Sequence, residues 1–599
     1  MSSVTSDDAG RARTSRVLAS DGVRLAVSEY GDPAGRTILL VHGYPDTSSV
    51  WDPVVAILAP RFHVVTYDVR GAGASDRPRS RSAYRLDQLS RDLYAVLDAV
   101  SPDAPVHVVA HDWGSIQAWE AVTDEGAEQR IASYTSVSGP CLDHVAHWFR
   151  DRASIRPCAL LQVVGQARRS WYIAVFHLPL VAPLAWRTFL GRGFGPAMRR
   201  IEGVPADPTY PAATLPLDGA RGVQLYRANF LPRLRRPRIR RTSVPVQVVV
   251  PVEDRYVTAQ LASGVDQWVD SAWVRPVRCG HWLPRAAPEV LAAAVEELVG
   301  FVESGVEPRT LRRLRSQRAS HEQSRRGTRD YTDQLVVVTG AGSGIGRETA
   351  RAFARRGAEV VIGDIDAVAA QSTAHLIRDQ GGVAHPLVVD VSDVGAMERF
   401  ARDVIDGHGV PDVVVNNAGI GIAGPMLDTT AADWRRIVDI NLMGVVHGCR
   451  LFGAAMVERR EGGHIVNIAS AAAYTPSRTL SAYGATKAAV LMTSEALRAE
   501  LAEHGIGVSA ICPGIVNTNI TTTTRFVGVS DEEQQQLRRT ASRSYARRNY
   551  PPSKVAEAVV RAVSTNAAVV PVTPEAVGAR LLSRLSPAAM RRLARLEVF

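Results

Sequence analysis

Short apolar runs ending in glycine or aspartate recur along both halves of the chain, separated by amphipathic stretches of helix length. This alternation reads as α/β architecture, with two mostly parallel sheets each covered by helices. In the first half the expected strands are 37–41, 63–67, 106–110, 133–137 and 246–250. In the second they open at 335–338 and continue near Val360, Leu387, Val413, Ile465 and Val508. At 599 residues the chain is too long for one core and long enough for two domains of about 250 to 300 residues.

Between Pro140 and about Arg241 the rhythm stops, and the interval is rich in proline, tryptophan and arginine. It reads as a helical cap inserted into the first domain. From Glu307 to Asp330 there are eight arginines and only two leucines among the large apolar types, the composition of a solvated tether. The expected organisation is a flexible N-terminus at 1–15, a first domain at 16–305 with its cap at about 140–241, a basic linker at 306–332, a second domain at 333–576, and a basic amphipathic C-terminal segment at 577–599.

The formal charge is +10, yet only two of the 70 basic residues are lysines, Lys487 and Lys554. No nucleic-acid motif accompanies the arginines, so nucleic acid is not expected as a partner. Five cysteines, Cys141, Cys158, Cys279, Cys449 and Cys512, form no CxxC pair, which argues against a disulfide framework or zinc site. A reducing cytoplasm and no metal are expected. Neither a secretory segment nor an uncharged run of about 18 apolar residues is found. The nearest approach, 171–186, carries His177 and two prolines and reads as an apolar lid over a pocket. The basic segments leave peripheral membrane contact open.

The strand at 106–110 leads into Ala110-His111-Asp112-Trp113-Gly114 and then a helical stretch. Small residues two places either side of Asp112 permit the strained strand-to-helix turn of a nucleophile elbow. An aspartate alkylated at carbon becomes an ester that activated water can hydrolyse; a serine would become an inert ether. The general base is expected at His281, within Cys279-Gly280-His281-Trp282, and its orienting acid at Asp254, after the strand 246–250. Glu253 and Asp143 are the competing acids. Tyr44, in His42-Gly43-Tyr44-Pro45, and Trp113 would offer two backbone N–H donors to charge developing on a tetrahedral intermediate. His42, His107, His111 and the Asp68–Ser75 loop are read as structural.

These residues resemble the epoxide hydrolases of the α/β-hydrolase superfamily over about 16–305. The haloalkane dehalogenases share the HDWGS elbow, but their halide is held by an asparagine or a second tryptophan, and Tyr44 stands at the asparagine position. An opening epoxide leaves an alkoxide that needs a proton donor. The resemblance supplies it from two cap tyrosines, Tyr172 and Tyr226, by their contexts Tyr172-Ile-Ala-Val-Phe176 and Tyr226-Arg227-Ala228-Asn229.

In the second half, 335–338 runs into Thr339-Gly340-Ala341-Gly342-Ser343-Gly344-Ile345-Gly346 and a helix. Glycines so spaced let backbone approach a pyrophosphate at a helix N-terminus, with Gly340, Ser343, Gly344, Ile345 and Gly346 as contacts. About 20 residues on, Asp364 ends the next strand, where a carboxylate accepts adenosine ribose hydroxyls and repels a 2′-phosphate, favouring NAD over NADP. Asn416-Asn417-Ala418-Gly419, Asn441, Ser470, Tyr483 and Lys487 follow in order. Four-residue spacing puts Tyr483 and Lys487 on one helix face, where the ammonium is expected to lower the phenol from about 10 toward working pH.

This set resembles the short-chain dehydrogenases over roughly 333–565. The resemblance implies that Ser470 holds the substrate oxygen, Lys487 binds the ribose and Tyr483, and Asn441 holds a proton-relay water. It also implies that Asn417 contacts the cofactor, Asp390-Val391 flank adenine, and Pro513-Gly514 with Thr518 border nicotinamide. The order of the two domains resembles actinobacterial fusions of an epoxide hydrolase with a short-chain dehydrogenase. A bifunctional enzyme is expected: an epoxide hydrolase giving a vicinal diol, and an NAD-dependent alcohol or ketone oxidoreductase on lipophilic, lipid-derived substrates. A homo-oligomer formed through the dehydrogenase domain is expected. The rivals are a dehalogenase first domain and a non-catalytic lipid-binding first domain that feeds the dehydrogenase.

Overall fold

The structure, a computed structural model, describes residues 12–152, 157–262, 264–315 and 331–595. The chain divides into two compact units, Met1–His321 and Glu322–Phe599.

The first unit is built on an eight-stranded sheet of β1 (Arg13–Leu18), β2 (Arg24–Tyr30), β3 (Thr37–Val41), β4 (His63–Tyr67), β5 (Val106–His111), β6 (Ile131–Val137), β7 (Val246–Pro251) and β8 (Ala272–Val277). Their order is β1-β2-β4-β3-β5-β6-β7-β8. β1 and β2 are antiparallel to their neighbours and the rest run parallel. β3, β4 and β5 are buried along their whole length. Helices cover both faces of such strands, which therefore read as unbroken apolar runs rather than alternating ones. β5 lies between β3 and β6, so its C-terminal end, and Asp112 just beyond it, stands at the centre of the sheet edge that carries loops.

The interval read as a cap lies between β6 and β7. It comprises helices Leu142–Arg152, Pro157–Arg169, Trp171–His177, Val181–Ala185, Gly191–Ile201 and Leu215–Arg235, with a π-turn at Trp186–Leu190. Three strands had no clear sequence signal. β1 and β2 carry arginines and a mostly exposed first strand, and β8, AWVRPV, is interrupted by arginine and proline. The expected linker also begins too early. Arg309–Leu314 is helical and buries Leu311 and Leu314 against Trp273 and Leu298, because its two leucines fall on one face. Residues up to 315 thus pack with the first unit. The remaining linker residues, 316–330, lie outside the described residues, as do 1–11 of the expected flexible N-terminus, whose 13–15 belong to β1.

The second unit contains β9 (Leu335–Thr339), β10 (Glu359–Asp364), β11 (Val383–Val388), β12 (Val413–Asn416), β13 (Ile422–Ala423), β14 (Gly463–Ile468), β15 (Ile506–Cys512), β16 (Arg525–Phe526) and β17 (Val569–Pro571). Seven of them form a sheet of order β11-β10-β9-β12-β14-β15-β17, parallel throughout, while β13 and β16 pair separately. Chain order reverses between β9 and β12, which opens a crevice at their C-terminal ends. Helices at Pro574–Leu585 and Pro587–Leu593 account for most of the expected C-terminal amphipathic segment. Among the described residues one helical run, Ala431–Arg459, is long and apolar enough to cross a membrane. It supplies Ile437, Phe452 and Met456 to the interior of this unit.

Candidate active sites

Asp112 sits on the turn between β5 and the helix Trp113–Val122 with φ 51° and ψ −124°, a strained backbone for a residue with a side chain. The turn is that tight because Gly114 packs directly on β3: a Cβ there would stand 2.3 Å from the Val41 carbonyl oxygen. Asp112 Oδ1 accepts the Tyr44 backbone N–H at 2.8 Å, and the Tyr44 hydroxyl donates to the Gly219 carbonyl of the cap at 2.8 Å.

The other carboxylate oxygen, Oδ2, lies 3.4 Å from His281 Nε2, and His281 Nδ1 is 2.8 Å from Asp254 Oδ2. Asp254 Oδ1 accepts the N–H groups of Tyr256 (2.7 Å) and Val257 (2.9 Å). Burial alone would raise the Asp254 carboxyl, but His281 and those two N–H groups outweigh it, and the net shift is downward. For His281 burial pulls downward, the Asp254 and Asp112 carboxylates override it, and the imidazole rises well above its ordinary value.

The competing acids stand elsewhere. Asp143 is buried against Arg233 (3.2 Å) and accepts the Arg238 N–H (2.9 Å), whereas Glu253 pairs with Arg278 at 3.4 Å. His111 Nε2 donates to the His281 carbonyl (2.9 Å), and burial holds its pKa down at about 4, in keeping with a structural role.

Two cap helices bring Tyr172 and Tyr226 within electrostatic reach of Asp112. The Tyr226 ring packs edge-on to Trp113 at 4.7 Å, and Tyr172 packs on Tyr226 at 6.0 Å. Burial pushes both phenols up, and the Asp112 charge adds to the shift, so both keep their protons at neutral pH. One pocket is lined by His42, Tyr44, Trp113, Gly222 and Leu225. A second reaches Asp254 from the side of Gly139, His144, Trp148 and Leu261.

Sequence reasoning missed three neighbours. Glu202, buried in the cap, accepts the His281 backbone N–H at 2.7 Å. Tyr256 packs on the His281 ring at 4.9 Å, its phenol pushed up to about 12 by burial. Asp46 accepts from Tyr210 (2.7 Å) and from the Trp282 indole (2.8 Å). Only Asp46, just after His42-Gly43-Tyr44-Pro45, stands in a stretch that already draws attention.

In the second unit the glycine loop joins β9 to the helix Gly344–Ala354, with Ser343 as the residue before it. The loop leaves no room for side chains: a Cβ on Gly346 would lie 2.2 Å from the Gly340 carbonyl oxygen, and one on Gly342 2.7 Å from Asp364 Oδ2. Asp364 ends β10 and accepts the Gly342 N–H at 2.7 Å. Asn417 ties β12 to the loop through the Thr339 (2.9 Å) and Gly340 (3.0 Å) carbonyls. Thr518 faces Gly344 across the crevice, and Ile345 is half-buried. A dinucleotide fits this cradle: bare backbone at a helix N-terminus, with a carboxylate at the next strand end.

Asp390 holds the Ser392 N–H (2.9 Å) and hydroxyl (2.6 Å), and Val391 is a buried residue against Gly444. Pro513 accepts from Ser470 at 3.4 Å, while Gly514 packs on Glu575. Asn441 lies in a π-turn, Asp439–Met443, fully buried, and exchanges hydrogen bonds with both backbone groups of Ile420, at 2.8 and 3.0 Å. It converges with Lys487 on Gly419, where a Cβ would lie 3.1 Å from Asn441 Oδ1 and 3.5 Å from Lys487 Nζ.

Tyr483 and Lys487 share the helix Ser481–Leu501. Lys487 Nζ donates to the Ile468 carbonyl at 2.9 Å and stands 5.9 Å from the Tyr483 ring centre. Here one expectation fails: burial raises the Tyr483 phenol, with the Ser470 hydroxyl opposing, rather than the ammonium lowering it. The same burial depresses Lys487 to about 8. Among the described residues one trio, Glu359, His385 and His408, groups metal-ligand atoms, at the opposite end of β10 from Asp364. The shared Glu359 carboxylate pairs with both imidazoles, at 3.1 and 3.0 Å.

The family model for the alpha/beta hydrolase fold matches residues 36–284, and that for short chain dehydrogenase matches 334–526. The chain belongs to the family that joins an alpha/beta hydrolase-fold domain to a short-chain dehydrogenase domain. Over 588 residues it is 45% identical to a protein of Mycobacterium tuberculosis (strain ATCC 25618 / H37Rv) described as "Probable oxidoreductase EphD", covering 96% of this chain and 98% of that one. Its second half is 32% identical over 252 residues to the C alpha-dehydrogenase of Sphingobium sp. (strain NBRC 103272 / SYK-6), covering 41% of this chain and 83% of that one. Among solved structures, a short chain dehydrogenase/reductase from Burkholderia phymatum in complex with NAD is 27% identical, with a TM-score of 0.42, covering 45% of this chain and 99% of that one.

Proposed function

We propose that the first domain hydrolyses epoxides to vicinal diols through an ester on Asp112. The observation that carries the reading is the line Asp112–His281–Asp254, at 3.4 and 2.8 Å, beneath two protonated cap tyrosines. Asp112 Oδ2 attacks an epoxide carbon, the carbon–oxygen bond opens, and Tyr172 or Tyr226 protonates the departing oxygen. His281 then takes a proton from water, which adds to the ester carbonyl. Charge develops on Oδ1, where the Tyr44 N–H already points, and the Trp113 N–H would add a second donor. The carbon–Oδ2 bond then breaks, the diol leaves with Oδ2 and takes the proton held by His281, the water oxygen completes the carboxylate, and the second water proton returns to the tyrosine.

The second domain is read as an alcohol or ketone oxidoreductase. Nicotinamide dinucleotide, when bound, supplies hydride-transfer chemistry. The glycine loop would hold its pyrophosphate and Asp364 its adenosine ribose, which favours NAD over NADP. Asp390 and Val391 would flank adenine, while Asn417, Pro513, Gly514 and Thr518 would border the rest of the dinucleotide. Ser470 holds the substrate oxygen, Tyr483 exchanges a proton with it, Lys487 orders the ribose, and Asn441 positions the proton relay. The apolar cap supports a lipophilic substrate. Four free, buried cysteines, Cys141, Cys279, Cys449 and Cys512, are consistent with a cytoplasmic protein, and association through the dehydrogenase domain is expected.

A dehalogenase reading is disfavoured by Tyr44 at the halide-binding position, and a purely lipid-binding first domain by its complete set of reacting groups. The full chain is expected to form diols from a panel of epoxides, with loss in Asp112→Asn, and to reduce NAD with an alcohol, with loss in Tyr483→Phe. Undiminished diol formation by Asp112→Asn would contradict the first reading, and halide release from a haloalkane without epoxide turnover would replace it.

A further inference from the structure

Between Arg152 and Glu202 the chain contains no aspartate or glutamate, although 60 of its 599 residues are acidic. Arg168, Arg169, Arg187, Arg192, Arg199 and Arg200 all stand exposed within this stretch. Between them large apolar side chains face solvent: Leu180 is 81% exposed, Trp171 67%, Phe189 66% and Leu184 63%. They belong to the successive elements Trp171–His177, Val181–Ala185 and Trp186–Leu190, which pack on one another. The runs Trp171–His177 and Val181–Ile201 meet at a bend of 100° and together are apolar enough to enter a membrane. Soluble monomers rarely leave a contiguous apolar patch larger than roughly 300 to 600 Å² uncovered, and one that persists marks an interaction surface.

The charge pattern selects the occupant. A second copy packing through the same segment would oppose two arginine-bearing stretches that hold no acidic residue, and self-association here is therefore repulsive. An anionic phospholipid surface matches both components at once, because phosphates meet the arginines while aromatic and leucine side chains enter the acyl boundary. We propose that the cap docks on anionic phospholipid bilayers, with Trp171, Leu180, Leu184 and Phe189 inserted and the six arginines at the headgroups.

The same helix that carries Trp171 outward carries Ile173 and Phe176 inward, and Phe176 packs on Tyr226 at 4.9 Å. A single helix thus separates the docking face from the aromatic lining over Asp112. Docking would bring a membrane-dissolved substrate to the site, a consequence that rests on the epoxide reading; the docking itself does not.

The test is co-sedimentation of the full-length protein with vesicles, in the absence of substrate, comparing phosphatidylcholine alone with phosphatidylcholine containing phosphatidylglycerol. Binding is expected only to the anionic vesicles, weakening as salt is raised. Leu184→Glu with Phe189→Glu should lower partitioning at least tenfold while its circular dichroism spectrum and thermal unfolding midpoint match those of the unaltered protein, which shows that the variant is folded. Arg187→Glu with Arg192→Glu provides an independent variant, each change costing about fivefold. Equal binding to both vesicle types, or unaltered binding by both variants, overturns the proposal. So does a wild-type oligomer that Leu184→Glu with Phe189→Glu renders monomeric without any vesicle binding. Because binding is read without turnover, failure of the epoxide chemistry would leave this result intact.

Discussion

Glu202, just after the cap helix Gly191–Ile201, accepts the backbone N–H of His281, the proposed general base, at 2.7 Å and so fixes it from the cap side. Asp254 fixes the same histidine from the sheet side at 2.8 Å, and the imidazole is held between two layers of the domain. The contact spans 79 residues, and Gly280 permits it, since a Cβ there would stand 2.2 Å from Glu202 Oε2.

Glu202 is therefore a positioning residue. A hydrogen bond to a charged group contributes about 1.5 to 3 kcal/mol, so Glu202→Ala should lower kcat for diol formation roughly 10- to 100-fold with KM little changed. Glu202→Gln keeps an acceptor and should recover most of the rate. An effect confined to KM would assign Glu202 to substrate binding instead.

The cap tyrosines should act on the opening step alone. Tyr172→Phe and Tyr226→Phe are each expected to slow ester formation by about 10²-fold, the lower end of general-acid contributions, and the double variant should fall further. Pre-steady-state mass spectrometry of the Asp112 peptide reads this step directly. Slowed ester hydrolysis with unchanged ester formation would remove the tyrosines from the acid role.

Burial holds Lys487 at about 8, below the value of about 10.4 for an unfolded lysine. Between these pH values the unfolded chain carries one more proton, and the lysine's contribution to stability therefore rises with pH across the window and levels above it. Hydrogen exchange of second-domain peptides, wild type minus Lys487→Met, should show this rise between about pH 8 and 10. A flat difference curve would place the lysine in a more solvated setting.

What could be read in advance depended on whether a residue's role travels with its local sequence. Asp112, the glycine loop and the Tyr483–Lys487 spacing were legible because tight turns and helix faces are set within a few residues. Asp254 was singled out by its strand end and chain order, and its position between β7 and His281 is what separates it from Asp143, which is enclosed by Arg233 and Arg238. Glu202 carried no signal because its partner is distant in the chain. The direction of the Tyr483 shift was misjudged because pair spacing conveys proximity to an ammonium but not the burial that outweighs it. The early part of the expected linker was misread for a similar reason: its arginines mark solvent, yet Leu311 and Leu314 find the pocket beside Trp273.

Asp364 should set cofactor choice. Its Oδ2 already accepts the Gly342 N–H at 2.7 Å, which places the carboxyl group at the mouth of the glycine loop. The unaltered protein is expected to bind NAD at least tenfold more tightly than NADP by isothermal titration, and Asp364→Ala to lose most of that preference. Equal affinities in the unaltered protein would refute the assignment.

The central claim is the ester on Asp112. With His281→Gln the carboxylate can still open an epoxide, but water is no longer activated, so incubation with an epoxide followed by mass spectrometry of the proteolysed protein should find the peptide containing Asp112 heavier by the mass of the intact epoxide. An unmodified Asp112 peptide from protein that turns the same epoxide over before the substitution would contradict the account.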